Sequence, residues 1–359
     1  MPGMPLVWSD DHRLHVPSAE IWLGVRTPAV ELPARADAIR AALEAAGHPV
    51  VAARPQPDAA VEAVHDRALL EFLAGAHAAW TAAGLHDDPG QPEVIPYFFA
   101  HPGLLGPHEP ALPVATWART GAFAFDTMTP IGAGTWPAAR AGADAALTAA
   151  ELVLAGAPAA YACTRPPGHH VTRSAYGGCC YLNNAAIAAE RLRAALGGPV
   201  ALLDVDAHHG NGAQAIFYAD AGVRTGSVHV DPGAGWFPHF LGFAGENGAA
   251  PGDGANRNLP LAPGTGDDAW VAAVQELAWW AGDARALVVA LGVDAAAGDP
   301  ESPLAVTEHG FRAAGRALGA LGMPTVVVQE GGYDVAAIGG LVLAALEGIH
   351  EGQQEVDGG

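Results

Sequence analysis

The chain has 359 residues, 50% of them hydrophobic, enough for one large α/β domain or two ordinary ones built around a sizeable core. Its 17 basic side chains face 38 acidic ones, a net charge of −21, which argues against a nucleic-acid partner and suits a cationic ligand. Three cysteines (Cys163, Cys179, Cys180) make no even disulfide framework, no apolar run reaches membrane-spanning length, and the N-terminus lacks a secretory pattern. A cytoplasmic protein without a membrane partner is expected.

In chain order, apolar periodicity predicts helices over 33–46 and 60–83. The stretch 85–119 follows, rich in Pro, Gly and His, with Tyr97, Phe98, Phe99 and Trp117 interleaved and no clean period. A loop that long in a compact domain is usually functional or mediates assembly. Beyond it the pattern alternates: helix 137–154, strand 159–163, helix 184–196, strands 199–206 and 223–230, helix 267–282, strand 286–292, helix 308–321, strand 324–329 and helix 335–347. From about residue 350 a flexible polar tail is expected. Short strands alternating with helices predict an α/β fold with a mostly parallel central sheet. Nothing separates two cores, so 1–359 reads as a single domain.

The most informative segment is Val200-Ala-Leu-Leu-Asp-Val-Asp-Ala-His-His-Gly-Asn-Gly212. Asp204, Asp206 and His208 recur with period two, which would put all three on one face of a buried strand. Buried carboxylates stay ionised only when paired or bound to a cation, so this face calls for a positive ion. Asp294, closing the apolar run Leu291-Gly-Val-Asp294, supplies a further ligand. One imidazole and two carboxylates with open positions describe a catalytic site for Zn²⁺, with Fe²⁺, Co²⁺ or Mn²⁺ as alternatives. Gly210-Asn-Gly-Ala-Gln-Ala215 also fits a dinucleotide fingerprint, but a pyrophosphate there would meet Asp204 and Asp206 unscreened.

Tyr161-Ala-Cys-Thr-Arg-Pro-Pro-Gly-His-His170 runs from a strand into a stiff loop ending in His169 and His170, natural proton carriers near a metal. Gln329-Glu-Gly-Gly-Tyr-Asp334 closes another strand and presents Tyr333, whose hydroxyl can donate to a developing oxyanion. All these segments fall at carboxyl ends of expected parallel strands, where open α/β sheets place ligands.

Taken in order, R-P-P-G-H-H, Gly178-Cys-Cys-Tyr-Leu-Asn-Asn184, D-V-D-A-H-H-G-N-G, G-V-D and E-G-G-Y resemble the zinc-dependent histone deacetylase superfamily. Within it the chain is most similar to the bacterial acetylpolyamine amidohydrolases, from Val7-Trp-Ser-Asp-Asp-His12 through Phe237-Pro-His-Phe-Leu-Gly242 to Gly339-Gly340. The resemblance implies the three-layer arginase/deacetylase α/β/α fold, with 85–119 as an insertion that narrows the site mouth and builds a homodimer. It implies Asp206, His208 and Asp294 as metal ligands, His169 paired with Asp204, His170 paired with Asn211, and Tyr333 polarising the substrate carbonyl. It also implies a structural K⁺ held by Asp204, Asp206, His208, Ser227 and Val228, and a Gly178 carbonyl that accepts the substrate amide hydrogen.

The substrate implied is a small cationic acylated amine. The alternatives are acetyl-lysine in peptides or proteins, and a non-catalytic binder of acylated ligands. One position departs from the family pattern: Cys179 stands where relatives carry Phe or Tyr, removing one aromatic wall of the substrate channel and leaving Phe237, with Trp236 beside it, as the other. A wider slot is expected.

Overall fold

Strict alternation inside short apolar strands sets the architecture. The computed structural model describes residues 3–109 and 111–358. Its strands are β1 (Leu6–Trp8), β2 (Glu20–Trp22), β3 (Val25–Thr27), β4 (Val50–Ala52), β5 (Ala159–Ala162), β6 (Val200–Asp204), β7 (Val223–Val230), β8 (Asn256–Leu261), β9 (Leu287–Leu291) and β10 (Thr325–Gln329). Eight of them form one sheet in the order β4-β1-β5-β10-β9-β6-β7-β8. Every pairing in that sheet is parallel, while β2 and β3 make a separate antiparallel hairpin.

The helices are α1 (Pro33–Ala45), α2 (Asp58–Glu62), α3 (Arg67–Ala82), α4 (Pro102–Leu105), α5 (Thr116–Phe123), α6 (Thr135–Leu154), α7 (Asn184–Leu196), α8 (Asn211–Phe217), α9 (Asp267–Trp280), α10 (Glu308–Gly319) and α11 (Ile338–Asp357). Leu202, Val288, Val326 and Val328 face one core with α3, α6 and α7; Leu203, Val289, Leu291 and Val327 face the other with α1, α9, α10 and α11. Period-two strands buried on both faces thus produce the three α/β/α layers. None of the helices among the described residues is long and apolar enough to cross a membrane.

Several sequence expectations shift. The expected helix over 60–83 breaks between α2 and α3, because His65 and Asp66 turn away to bond Thr172, Arg173 and Asn183. Strand β6 stops at Asp204, so Asp206 and His208 lie beyond the strand and not along its face. The acids themselves turn the chain: Asp204 Oδ1 accepts from the Asp206 N–H at 3.0 Å, and Asp206 Oδ1 accepts from the His208 N–H at 2.8 Å. Strands β1, β4 and β8 and helix α8 carry too few periodic positions to stand out in the sequence.

The expected tail from about 350 is also corrected. Helix α11 continues to Asp357, and buried Gln353 donates to the Pro158 carbonyl at 3.1 Å. It is held by close crossing with α10, where a Cβ on Gly319 would lie 2.1 Å from Ile349 O and one on Gly348 would lie 2.1 Å from Arg312 O. Pro110 in the insertion and Gly359 at the tail's end lie outside the described residues.

Overpacking that crossing should destabilise the fold. Gly348→Ala is expected to cost about 1–3 kcal/mol, read as a lower urea midpoint at unchanged m-value. An unchanged midpoint would mean the two backbones can separate freely.

Candidate metal and catalytic site

The loops that carry polar chemistry leave the carboxyl ends of β5, β10, β9 and β6, four adjacent strands at the middle of the sheet. Because all four run parallel, their ends share one edge, and residues distant in sequence meet there. His208 Nδ1 lies 3.2 Å from Asp206 Oδ1 and 3.1 Å from Asp294 Oδ2. Ligand atoms of the three residues fall within 4.8 Å of one another. Glycines make room: a Cβ on Gly292 would sit 2.0 Å from Asp206 Oδ2, and one on Gly331 would sit 2.3 Å from Asp294 Oδ2.

Charge balance shows what this cluster can hold. Asp206 and Asp294 are fully buried, the sequence contains no lysine, and no arginine among the described residues pairs with either acid. Burial and the Asp206 carboxylate push Asp294 up to about 7, against the pull of His208. Burial disfavours the charged His208 ring, yet the Asp206 and Asp294 hydrogen bonds push its pKa well above the usual value. Two carboxylates and an imidazole share a pocket that is short of positive charge, and the donor set fits a divalent ion of the zinc type.

The paired histidines stand beside this cluster with different charges. His169 Nδ1 is 2.9 Å from Asp204 Oδ2. Burial would discharge that ring, but Asp206 and Asp204 prevail and raise its pKa to about 10. His170 Nδ1 is 2.6 Å from Asn211 Oδ1, and Asn211 Nδ2 donates to the His170 carbonyl at 3.2 Å. That second bond orients the amide, so Nδ1 carries the proton and Nε2 keeps its lone pair. Burial, together with the charges of His169 and His208, holds His170 well below the usual histidine value. The two rings are 4.0 Å apart between centroids.

A buried scaffold fixes these loops to one another. Glu31 Oε1 accepts from Arg35 at 2.7 Å and from Arg165 at 2.8 Å, and the two arginines outweigh burial to hold its pKa low. Arg35 reaches on to the Gly332 and Glu330 carbonyls at 2.5 and 2.6 Å, and its guanidinium lies 4.6 Å from the centroid of the Tyr333 ring. Fully buried Glu330 uses Oε2 to accept from the Gly168 N–H at 2.6 Å and the His169 N–H at 3.1 Å. It ties the loop of Tyr333 to the loop of the histidines. Glu31 lay in no motif, and Glu330 lay in E-G-G-Y without its bracing role being legible, since each makes a decisive contact with a loop far away in the chain.

A cavity of about 540 Å³ opens onto this floor, lined by His170, His208, Tyr333, Gly178, Cys179, Trp236 and Phe237. All the residues expected to touch substrate are thus brought together, while Ser227 and Val228 lie behind, on β7, with Ser227 opposite Asp204 in register. Glu20, Trp22, Met128, Pro300 and Glu301 are also part of the lining. The sequence signal for Glu301 was the acid seven residues after Asp294; the hairpin that delivers Glu20 gave none. No residue of 85–119 among those described lines the cavity, so within one chain the insertion does not narrow the mouth as expected.

Sheet, floor and cavity together define a hydrolase of the arginase/deacetylase class. Residues 29–349 match the histone deacetylase domain, and the chain belongs to that family. It is 41% identical over 347 residues to acetylpolyamine amidohydrolase 1 of Pseudomonas aeruginosa, covering 95% of this chain and 97% of that protein. It is 39% identical over 351 residues to the acetylpolyamine amidohydrolase of Mycoplana ramosa, covering 96% and 99%. The crystal structure of the acetylpolyamine aminohydrolase from Burkholderia pseudomallei superposes with a TM-score of 0.90 at 39% identity, over 98% of this chain and 99% of that one. Membership of the family implies a divalent metal.

Replacing Glu330 by Leu strands two buried N–H groups and should cost about 2–5 kcal/mol in urea unfolding. Glu330→Gln keeps an oxygen for both and should cost much less. Equal losses would show that the acceptor is not what matters.

Proposed function

We propose that this chain is a zinc-dependent amidohydrolase that removes the acetyl group from small acetylated polyamines and related amines. The observation that carries this is one cavity lined by His208 of the Asp-His-Asp cluster, by His170 of the histidine pair and by Tyr333, together with two acids and aromatic rings. Asp206, His208 and Asp294 would hold the zinc, which would supply Lewis-acid activation of water and of the acetyl carbonyl. His170 Nε2, bare because Asn211 engages Nδ1, takes the proton of the attacking water and returns it to the leaving amine. His169, kept charged by Asp204, stabilises negative charge beside it.

Tyr333 has its pKa raised well above normal, chiefly by burial and against the pull of Arg35, so its hydroxyl stays protonated and donates to the oxyanion. The Gly178 carbonyl accepts the amide hydrogen. A structural K⁺ would be held by Asp204, Asp206, His208, Ser227 and Val228. Free Cys163, Cys179 and Cys180 fit a reducing cytoplasm.

The mouth supports a cationic substrate. Glu20 is buried, accepts one hydrogen bond from the Val30 N–H at 3.1 Å, and faces the cavity with Glu301. Exposed Tyr97, Phe98, Leu104, Leu112, Val114 and Trp117 in the 85–119 insertion support pairing with a second copy. Sedimentation should find a dimer that dissociates when Tyr97 and Phe98 become Ser.

Tyr333→Phe should lower kcat on N-acetylputrescine about a hundred- to a thousandfold at unchanged metal content. Full turnover would remove Tyr333 from the chemistry. Burial pushes the Glu20 carboxyl up to about 7, opposed by the Val30 hydrogen bond and reinforced by Glu301 and Glu31. It is charged above that pH and neutral below, so KM for a cationic substrate should rise as pH falls through about 7. Glu20→Gln should flatten that dependence. A panel of acetylputrescine, acetylcadaverine, acetylspermidine and an acetyl-lysine peptide tests the substrate class, and preference for the peptide would overturn it.

A further inference from the structure

Cys179 leaves the cavity without the aromatic wall expected at that position, yet a second ring stands beside Phe237. Phe125 lies 6.3 Å from Phe237 between centroids, with the planes only 26° apart. Phe237 in turn meets His170 edge to face at 4.7 Å, so the two phenylalanines continue outward from the catalytic floor. Phe125 comes from outside every motif of the sequence, on the segment that follows α5.

That segment is latched to the Gly178–Cys179 turn. The Phe125 N–H donates to the Tyr176 carbonyl at 3.1 Å and the Tyr176 N–H to the Phe123 carbonyl at 2.7 Å. The Gly178 N–H donates to Asp126 Oδ2 at 2.5 Å, and the Cys179 N–H to Thr129 Oγ1 at 2.9 Å. Asp126 and Thr129 thereby hold a turn in which Gly178 (φ 60°) and Cys179 (φ 61°) are both left-handed, a conformation that costs a non-glycine residue.

Gly177 provides the space. A Cβ there would lie 2.2 Å from Phe125 Cε2 and 2.5 Å from Cδ2 and Cζ, so the ring rests where a side chain at 177 would be. The backbone at Gly177 is not left-handed, so its lack of a side chain matters for the ring and not for the turn. Phe125 is 37% exposed; it is not itself part of the cavity's lining and borders the cavity through Phe237, which is.

We infer that Phe125 is a specificity-determining residue: it extends the aromatic surface of Phe237 beyond the cavity's lining, so that the methylene stem of a long amine lies along both rings as it leaves the cavity. The inference rests on the amidohydrolase assignment for its substrate, and its ligand class is an extended aliphatic amine. Each methylene laid on the pair of rings adds apolar contact, so affinity should climb with stem length, and more steeply with both rings than with one.

The test uses mono-acetylated α,ω-diamines with two to seven methylenes on the zinc-loaded protein. Phe125→Ala is expected to raise KM by a factor that grows with stem length, to about threefold to tenfold for the longest, with kcat much less affected. Gly177→Ala, which expels the ring without altering it, should give the same length-dependent loss. Phe125→Leu serves if the alanine variant fails to fold, with an intermediate slope expected. The inference is overturned if these variants keep the wild-type dependence on stem length. Calorimetric binding of the same compounds separates the two claims. Should the wild-type protein bind the series but hydrolyse none of it, the reaction assigned above falls, and the role of Phe125 is read from the binding slopes alone.

Discussion

Three carboxylates, Asp204, Asp206 and Asp294, lie buried at the carboxyl edge of a parallel sheet, in a chain that has no lysine and whose nearest arginines are already committed to Glu31. Their negative charge has to be met from inside the site. His169 meets Asp204, His208 meets Asp206 and Asp294, and a divalent ion accounts for what remains. Much of the surrounding design serves this requirement. Gly292 and Gly331 leave room for the acids, and the four adjacent strands bring their loops to one edge. Arg35 and Arg165, both tied to Glu31, fix the Tyr333 and histidine loops around it.

The same electrostatics separate two histidines of identical chemistry. His169 faces carboxylates and remains charged; His170 is kept neutral by burial and by the charged His169 ring beside it, with an amide as its partner. A charged ring and a neutral ring therefore stand 4.0 Å apart, the division that the proposed mechanism uses for its stabiliser and its base. Glu330 keeps the pair at that spacing by gripping the backbone, not the rings.

Legibility followed sequence locality. Strand β7 and helix α7 were evident from their own periodicity, and the metal residues from their acid and histidine spacing. The inference from period two picked out residues that do come together, but through the wrong geometry, since Asp204 ends the strand and side-chain-to-backbone bonds then turn Asp206 and His208 into position. Edge strand β8 carries Asn256, Asn258 and Pro260, which mask a strand that pairs only with β7. Glu31 reaches Arg165, Phe125 reaches Phe237 and Glu330 reaches Gly168 across more than one hundred residues, and Glu20 faces the cavity with Glu301; no local pattern announces such contacts, even where E-G-G-Y marks Glu330 itself. The polar end of α11 was taken for a tail because it packs on α10 through its own Gly348 and Gly352, which add no apolar stripe to the sequence.

The most direct test of the account is metal content measured together with turnover of N-acetylputrescine. The account predicts one divalent ion per chain, loss of both ion and turnover on chelation, recovery on adding zinc, and failure to recover in Asp206→Asn and Asp294→Asn. Undiminished hydrolysis by metal-free protein, or stoichiometric metal retained by both variants, would contradict it.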